Sequence, residues 1–404
     1  MQQITEEFIR RIPKTDLHVH LDGSLRLSTL IELARERNVN LPSFTEEGLN
    51  DLVFKSHYGD LTEYLSGFQW TVAVLQDPES LERVAYELAI DNAEEGVRYL
   101  EVRFAPQLNM HEKLGFEDVM NAVDRGLRRA RDSINRDLAD GVPAFEYGII
   151  VCAMRFFTPS FSRYYRELFN VHRYSDSIEV TQYASMEAAK AAVRLRQESD
   201  VQVVGFDLAG AEHGHPAAVH EAAFGYVHRG FLKKTVHAGE AYGPESIFQA
   251  ITRLHADRIG HGLHLFNENL LSIEDPEARH RYAQNLANFI ADNRTTIEVC
   301  LTSNLQTSPD IKTPQQHSLG RMLAQNLSLT FCTDNRLVSH TTVSEEIRLA
   351  LQHFEISARQ LKNIIIYGFK RSFFYRPYPE KRRYVRSVID YYESLEREYG
   401  VKNG

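Results

Sequence analysis

With 404 residues, 43% of them hydrophobic, the chain has material for one large domain or two ordinary ones. A net charge of −9 and a pI near 6.0 leave no nucleic-acid footprint, and three cysteines (Cys152, Cys300, Cys332) exclude a dense disulfide framework and fit a reducing compartment. The start lacks the basic head and apolar core of a signal peptide, and no run approaches the roughly 20 apolar residues of a membrane span, so a soluble cytoplasmic protein is expected.

A short apolar run at 16–21 is the first predicted strand, followed by a helix over 25–37 and an irregular insertion over 38–60 with room for a short helix. Helical periodicity continues over 61–74 and 80–94. A second strand follows at 97–104, a helix at 115–137 and a third strand at 144–154. Residues 155–177 are aromatic and mixed in charge, an excursion beyond that strand that is partly helical. The helix 178–198 then leads to strand 201–208, the helix 215–229 to strand 234–238, and the helix 244–254 to a very short strand at 258–262. The last units are helix 277–291 with strand 295–301 and helix 318–325 with strand 328–332. Closing helices are expected at 342–354 and at 357–367, the second stopped by Gly368, and a charged helical tail at about 380–400. Its basic run Lys381-Arg382-Arg383 reads as a solvated face.

Eight strands alternating with helices match a closed α/β barrel, a (β/α)8 TIM-type barrel with additional helices. Several strands are apolar nearly throughout, as a parallel sheet covered by helices requires. An open doubly wound sheet is the rival, disfavoured because no Gly-x-Gly-x-x-Gly follows an early strand. One domain over 1–404 is expected, with a helical insertion near 38–75, the excursion near 155–177 and a C-terminal helical extension over 356–404.

In such a barrel the C-terminal strand ends carry function. There the chain places His18, His20 and Asp22 on the first strand and Asp207 with Gly210 on the fourth. His237, Gly239 and Glu240 follow on the fifth, His261 and His264 on the sixth, the segment from Cys300 to Gln306 on the seventh, and Asp334-Asn335 on the eighth. His18 and His20, two residues apart, face the same side of a strand. With His237 and Asp334 they form a nitrogen/oxygen donor set suited to Zn²⁺, with Fe²⁺ and Co²⁺ as rivals, and the open barrel mouth leaves room for a water activated by that metal.

Glu240 is placed to hand a proton to a substrate; alternatively it is a helix-start glutamate favoured by the dipole. Glycines flank His261, giving it room to orient the attacking water or stabilise its charge, against the plainer reading of a hydrogen-bonded strand histidine, which suits His264 better. His213, His215, His255 and His317 read as surface or loop histidines.

These residues lie in motifs that, together and in order, resemble the adenosine deaminase family of zinc-dependent purine deaminases over about residues 11–355. They are Leu17-His18-Val19-His20-Leu21-Asp22-Gly23-Ser24, Gly205-Phe206-Asp207-Leu208-Ala209-Gly210-Ala211-Glu212, Val236-His237-Ala238-Gly239-Glu240, Arg258-Ile259-Gly260-His261-Gly262, Cys300-Leu301-Thr302-Ser303-Asn304 and Thr333-Asp334-Asn335. The resemblance implies one zinc per chain on His18, His20, His237 and Asp334, and catalytic roles for Glu240, His261 and Asp334. Glu240 would protonate N1 of the purine, His261 would assist the water that attacks C6, and Asp334 would take that water's proton. Substrate contacts are expected from His20, from Gly210 through its backbone N–H to N3, from Asp22 to the ribose 5′-hydroxyl, and from an apolar lid at Leu61, Tyr64 and Phe68. The family usually has a second aspartate at the position of Asn335, which here would offer an amide N–H to N7.

The implied reaction is hydrolytic deamination of adenosine, and of 2′-deoxyadenosine, to inosine and ammonia. The alternative is another 6-aminopurine derivative: N6-methyl-AMP, 6-aminodeoxyfutalosine, methylthioadenosine or adenine. Asp22 argues for a neutral 5′ end, since a carboxylate repels phosphate; Arg103, Arg155 and residues between Phe156 and Arg173 are the candidates to touch any larger group there. The partner expected is a small purine nucleoside, with no nucleic acid and no membrane, and the oligomeric state is left open. Two further classes compete: amide, lactone or phosphoester hydrolysis on the same scaffold, and a non-enzymatic binding barrel.

Overall fold

The computed structural model describes residues 4–401. Eight parallel strands pair in chain order: β1 Lys14–His20, β2 Val97–Phe104, β3 Glu146–Met154, β4 Val203–Ala209, β5 Lys233–Ala238, β6 Arg258–His261, β7 Thr296–Val299 and β8 Leu329–Phe331. Just past β8 the ring returns to β1. Val19 bridges Asp334, His20 N donates to Asp334 O (2.7 Å), and Asp334 N donates to His18 O (2.8 Å). The (β/α)8 barrel therefore closes at three of the four expected metal-binding residues.

The helices are α1 Glu6–Arg11, α2 Leu27–Glu36, α3 Glu46–Leu52, α4 Leu61–Ser66, α5 Phe68–Val74, α6 Pro78–Glu94, α7 Phe116–Arg136, α8 Arg163–Val171 and α9 Ser177–Glu198. They continue as α10 Glu221–Arg229, α11 Pro244–Thr252, α12 Pro276–Asn293, α13 Leu301–Thr307, α14 Leu319–Ala324, α15 Val343–His353, α16 Ala358–Arg371 and α17 Tyr378–Tyr399. Their starts follow local chemistry. Asp77 accepts from Ser80 N with Pro78 in the first turn of α6, and Asp176 and Glu179 form a reciprocal capping box on α9.

Four readings of the sequence change. The helix expected over 61–74 divides into α4 and α5 at Gly67, where Gly67 N bonds back to Tyr64 O and Trp70 N to Gly67 O, tightening the turn to an i→i+3 pattern. Gly368 does not stop α16, which runs on to Arg371. A Cβ there would lie 2.2 Å from Thr15 Oγ1, so the glycine lets the helix pack closely on β1. The helix expected over 215–229 begins as a 3₁₀ turn at Ala217–His220 before α10. In the basic run, Arg382 and Arg383 are exposed, but Lys381 is half-buried and donates to the carbonyls of Lys370 (2.8 Å) and Ser372 (2.6 Å) at the end of α16.

The barrel interior carries charge. Glu101, Arg103, Asp207, Arg258 and Glu298 are all buried, linked side by side beneath the C-terminal mouth. Arg258 reaches Glu101 and Glu298 and lies over the Phe373 ring (3.5 Å to the centroid) at the opposite end. The three cysteines are buried and free. Among the described residues no helix is long and apolar enough to cross a membrane.

Candidate active site

His18 and His20 leave β1 toward the same point, as their i, i+2 spacing requires. His237 arrives from the end of β5 and Asp334 from the turn after β8. One donor atom from each of the four lies within 4.8 Å of the others. His20 Nε2 and His237 Nε2 are 3.1 Å apart, and Asp334 Oδ1 is 3.4 Å from both His18 Nε2 and His20 Nε2. Asp334 sits at φ +61°, a left-handed conformation uncommon outside glycine, and such strain collects at functional sites.

Whether these residues fit a metal is decided by their other atoms. His18 Nδ1 is held by Glu298 Oε2 (2.8 Å), and His237 Nδ1 by Asp207 Oδ2 (3.0 Å). Each ring therefore gives its Nδ1 proton to a carboxylate and turns an Nε2 lone pair to the centre, as metal-binding histidines do. His18 Nε2 is buried without a hydrogen-bond partner. The set fits one divalent metal with an open position.

Arg103 ties these supports together. Its Nη1 donates to Asp207 Oδ2 and its Nη2 to Glu298 Oε2, both at 2.9 Å, so one guanidinium braces the carboxylates behind two imidazoles. Sequence reasoning offered Arg103 and Arg155 as contacts to a substrate's far end. Both are buried in structural bonds, Arg155 to the carbonyls of His215 (2.7 Å) and His237 (2.5 Å), and neither lines the cavity.

Across the cluster stands Glu240. Burial, with the charges of Asp334 and Glu212 behind it, pushes its carboxyl well above the ordinary glutamate range, against the pull of Arg155. His261 Nε2 lies 3.6 Å from Glu240 Oε2. Burial holds His261 well below the usual histidine range, so the ring is neutral near pH 7. Its tautomer follows from a chain of bonds. Leu319 N donates to His317 Nδ1 (3.0 Å), His317 Nε2 then donates to Asn304 Oδ1 (3.2 Å), and Asn304 Nδ2 donates to His261 Nδ1 (3.0 Å). That leaves the proton of His261 on Nε2, facing the cavity. His317, expected at the surface, is buried in this relay. Nothing in its local sequence distinguishes it from His213, which is exposed.

A cavity of about 750 Å³ opens over these groups. His20, Asp22, Gly210, Glu240, His261 and Asn335 line its polar side, and Leu61, Tyr64 and Phe68 belong to its apolar wall. The Phe68 ring stands edge-on to His20 with centroids 6.4 Å apart. Gly210 holds φ +93°, and its Cβ would meet Met154 Cε at 3.3 Å. Asp22 Oδ1 is buried without a partner, and burial pushes that carboxyl up to about 7. Asn335 Nδ2 donates to Tyr64 OH (2.7 Å), which also bonds Ser339 Oγ (2.8 Å), so one of the two amide N–H groups is already used. Ser303, missed as a site residue, donates to Asp334 Oδ2 (2.7 Å). His264 is half-buried just beyond β6 and bonds Asn267.

The adenosine deaminase profile matches residues 13–189 and 177–391. The chain belongs to the adenosine deaminase family. Adenosine deaminase of Mycobacterium avium (strain 104) is 35% identical over 385 residues, covering 95% of this chain and 96% of its own. That of Mycobacterium leprae (strain TN) is 36% identical over 388 residues, with 95% and 96% covered. Among solved structures, an N6-mAMP deaminase from Arabidopsis superposes with a TM-score of 0.71 at 25% identity, covering 95% of this chain and 99% of that one. An adenine deaminase from Arthrobacter aurescens shares the fold with a TM-score of 0.73 at 20% identity, covering 95% and 99%. Membership makes the protein a metal-dependent hydrolase of the deaminase type, acting on an aminopurine or nucleoside-like substrate.

Proposed function

We propose that the protein hydrolytically deaminates 6-aminopurine nucleosides, with adenosine and 2′-deoxyadenosine as first candidates, inosine-type products and ammonia released, and zinc as the metal. When bound by His18, His20, His237 and Asp334, the metal supplies Lewis acidity that brings the pKa of a water toward 7. Glu240, kept protonated by its surroundings, gives its proton to N1 and makes C6 electrophilic. Asp334, with Oδ2 steadied by Ser303, accepts the proton of the attacking water and can pass it to the amino group that leaves. His261 points its Nε2–H into the same space and stabilises the oxygen arriving at C6.

The observation that carries this reading is the placement of the buried Glu240 carboxyl in one cavity with the four-donor cluster, with His261 Nε2 3.6 Å from Glu240 Oε2. A general amidase or lactonase has no need of a proton donor aimed at a ring nitrogen. The two mycobacterial relatives, named as adenosine deaminases, support adenosine. The similar Arabidopsis structure supports a second reading, deamination of N6-methyl-AMP. Against it, no lysine or arginine among the described residues lines the cavity to meet a phosphate.

A panel of adenosine, 2′-deoxyadenosine, AMP, N6-methyl-AMP, methylthioadenosine, adenine and 6-aminodeoxyfutalosine, read by ultraviolet change and product mass, tests the proposal. Preferred turnover of uncharged nucleosides is expected. Preferred turnover of the nucleotides would move the assignment to the second reading, and release of no amine from any compound, neither ammonia nor the methylamine that N6-methyl-AMP would give, would overturn both.

A further inference from the structure

Glu212 lies in the loop after β4; apart from the charge it sets behind Glu240, it neither lines the cavity nor belongs to the four-donor cluster. Its buried carboxylate crosses to the loop joining β5 to α11 and gathers four consecutive backbone amides. Oε1 accepts from Gly239 N (2.9 Å) and from Ser246 Oγ. Oε2 accepts from Glu240 N (2.9 Å), Ala241 N (2.8 Å) and Tyr242 N (3.1 Å). Converging N–H groups of this kind form an anion nest, and bonds to an ionised acceptor are stronger than neutral ones. A carboxylate of the chain itself fills this nest.

The same loop is gripped at its other end, where Arg155 Nη2 donates to the His237 carbonyl (2.5 Å). Between the two grips the chain reverses through Gly239 at φ +72°. His237 stands on one side of that reversal and Glu240 on the other. The separation between the His237 imidazole and the Glu240 carboxyl is thus set by two buried charges that neither line the cavity nor belong to the donor cluster.

We infer that Glu212 is a positioning residue for Glu240, acting through the backbone of residues 239–242 to hold the carboxyl in reach of the substrate's ring nitrogen. The inference rests on the proposed deamination. A carboxyl displaced by about 1 Å loses much of its rate advantage, whereas contacts that bind the rest of the substrate do not depend on it. Loss of Glu212 therefore falls on kcat and spares KM. Glutamine is a partial replacement. Its oxygen can keep the Glu240, Ala241 and Tyr242 amides while its NH₂ turns to Ser246 Oγ, leaving one amide unpaired. Alanine leaves all four unpaired.

The test compares wild type, Glu212→Gln and Glu212→Ala as metal-loaded full-length protein. We expect kcat to fall about 10-fold in the glutamine variant and about 100-fold or more in the alanine variant, with KM within about threefold. Metal content should be unchanged, and amide hydrogen exchange over 239–242 faster in the same order. Binding of 1-deazaadenosine, in which a C–H replaces N1 and no proton from Glu240 is received, should be unchanged. If the alanine variant does not fold, the glutamine variant carries the comparison. Equal losses in metal content and kcat, or KM rising as much as kcat falls, would overturn the inference, as would accelerated exchange with unaltered kcat. Wild type without ammonia release would overturn the functional reading itself and the inference with it.

Discussion

The floor and the wall of the cavity are built on opposite principles. Under the four-donor cluster, two of the three imidazoles are held by a buried charge: His18 by Glu298, His237 by Asp207, both carboxylates by Arg103, and Glu298 again by Arg258. The wall on α4 and α5 is mostly apolar surface, with Leu61 and Phe68 half-buried and Tyr64 tied to the β8 turn through its hydroxyl. A buried ion network tolerates little change, because removing one member strands the others. An apolar wall can alter one side chain at a time. On the proposed deamination, the floor carries the reaction, while the wall is the part that can change without disturbing it.

The largest break should come from the floor. Arg103→Met leaves Asp207 and Glu298 buried without their shared cation, and should cost about 3–5 kcal/mol of stability. Metal affinity should fall about 10- to 100-fold as the imidazoles lose their orientation. Thermal unfolding and competition with a chelator would measure both. A variant with wild-type stability and metal affinity would mean the network is dispensable. On the wall, Phe68→Ala should raise KM about 10-fold, the equivalent of about 1.4 kcal/mol of lost apolar contact, with kcat nearly intact. A kcat loss larger than the KM rise would erase the distinction between the two regions.

Two smaller effects sharpen it. Burial holds His317 at about 3 in the folded protein, against 6.5 for an ordinary histidine. The folded state refuses a proton that the unfolded chain accepts, so this stability is complete above pH 6.5 and is lost as pH falls toward 3. The melting temperature of His317→Gln should decline less steeply than that of wild type across that window. An identical slope would remove His317 from the acid response. The smallest effect is expected for Asn335→Asp, where Tyr64 OH can donate to the new carboxylate in place of accepting from the amide. Since one hydrogen bond is exchanged for another, kcat/KM should stay within about 10-fold of wild type. Loss of all turnover at every pH would show that the amide is indispensable.

The barrel was legible because parallel strands buried on both faces are apolar almost end to end, and β2 was bounded to the residue. His18, His20, His237 and Asp334 stood out because ionisable groups at strand ends have no place in an ordinary core. Their supports did not. Glu298 and Arg103 are separated by 195 residues and meet only when the barrel closes, and a charged residue inside a strand looks the same whether it faces water or a partner. Arg155 and His317 were misplaced for the same reason: type and neighbours in sequence carry no record of a partner brought in by another strand. Gly67 and Gly368 show a third limit. A glycine in a helical pattern divides the helix in one case and lets it approach β1 in the other, and only the packing tells which.

The central claim, that Glu240 donates a proton to a substrate activated from the metal side, is tested most directly by Glu240→Gln with metal analysis and steady-state kinetics on the same preparation. The account predicts an unchanged metal content of one per chain and a kcat on adenosine lowered by about 10²- to 10⁴-fold. A metal-replete variant with near-normal kcat would contradict it.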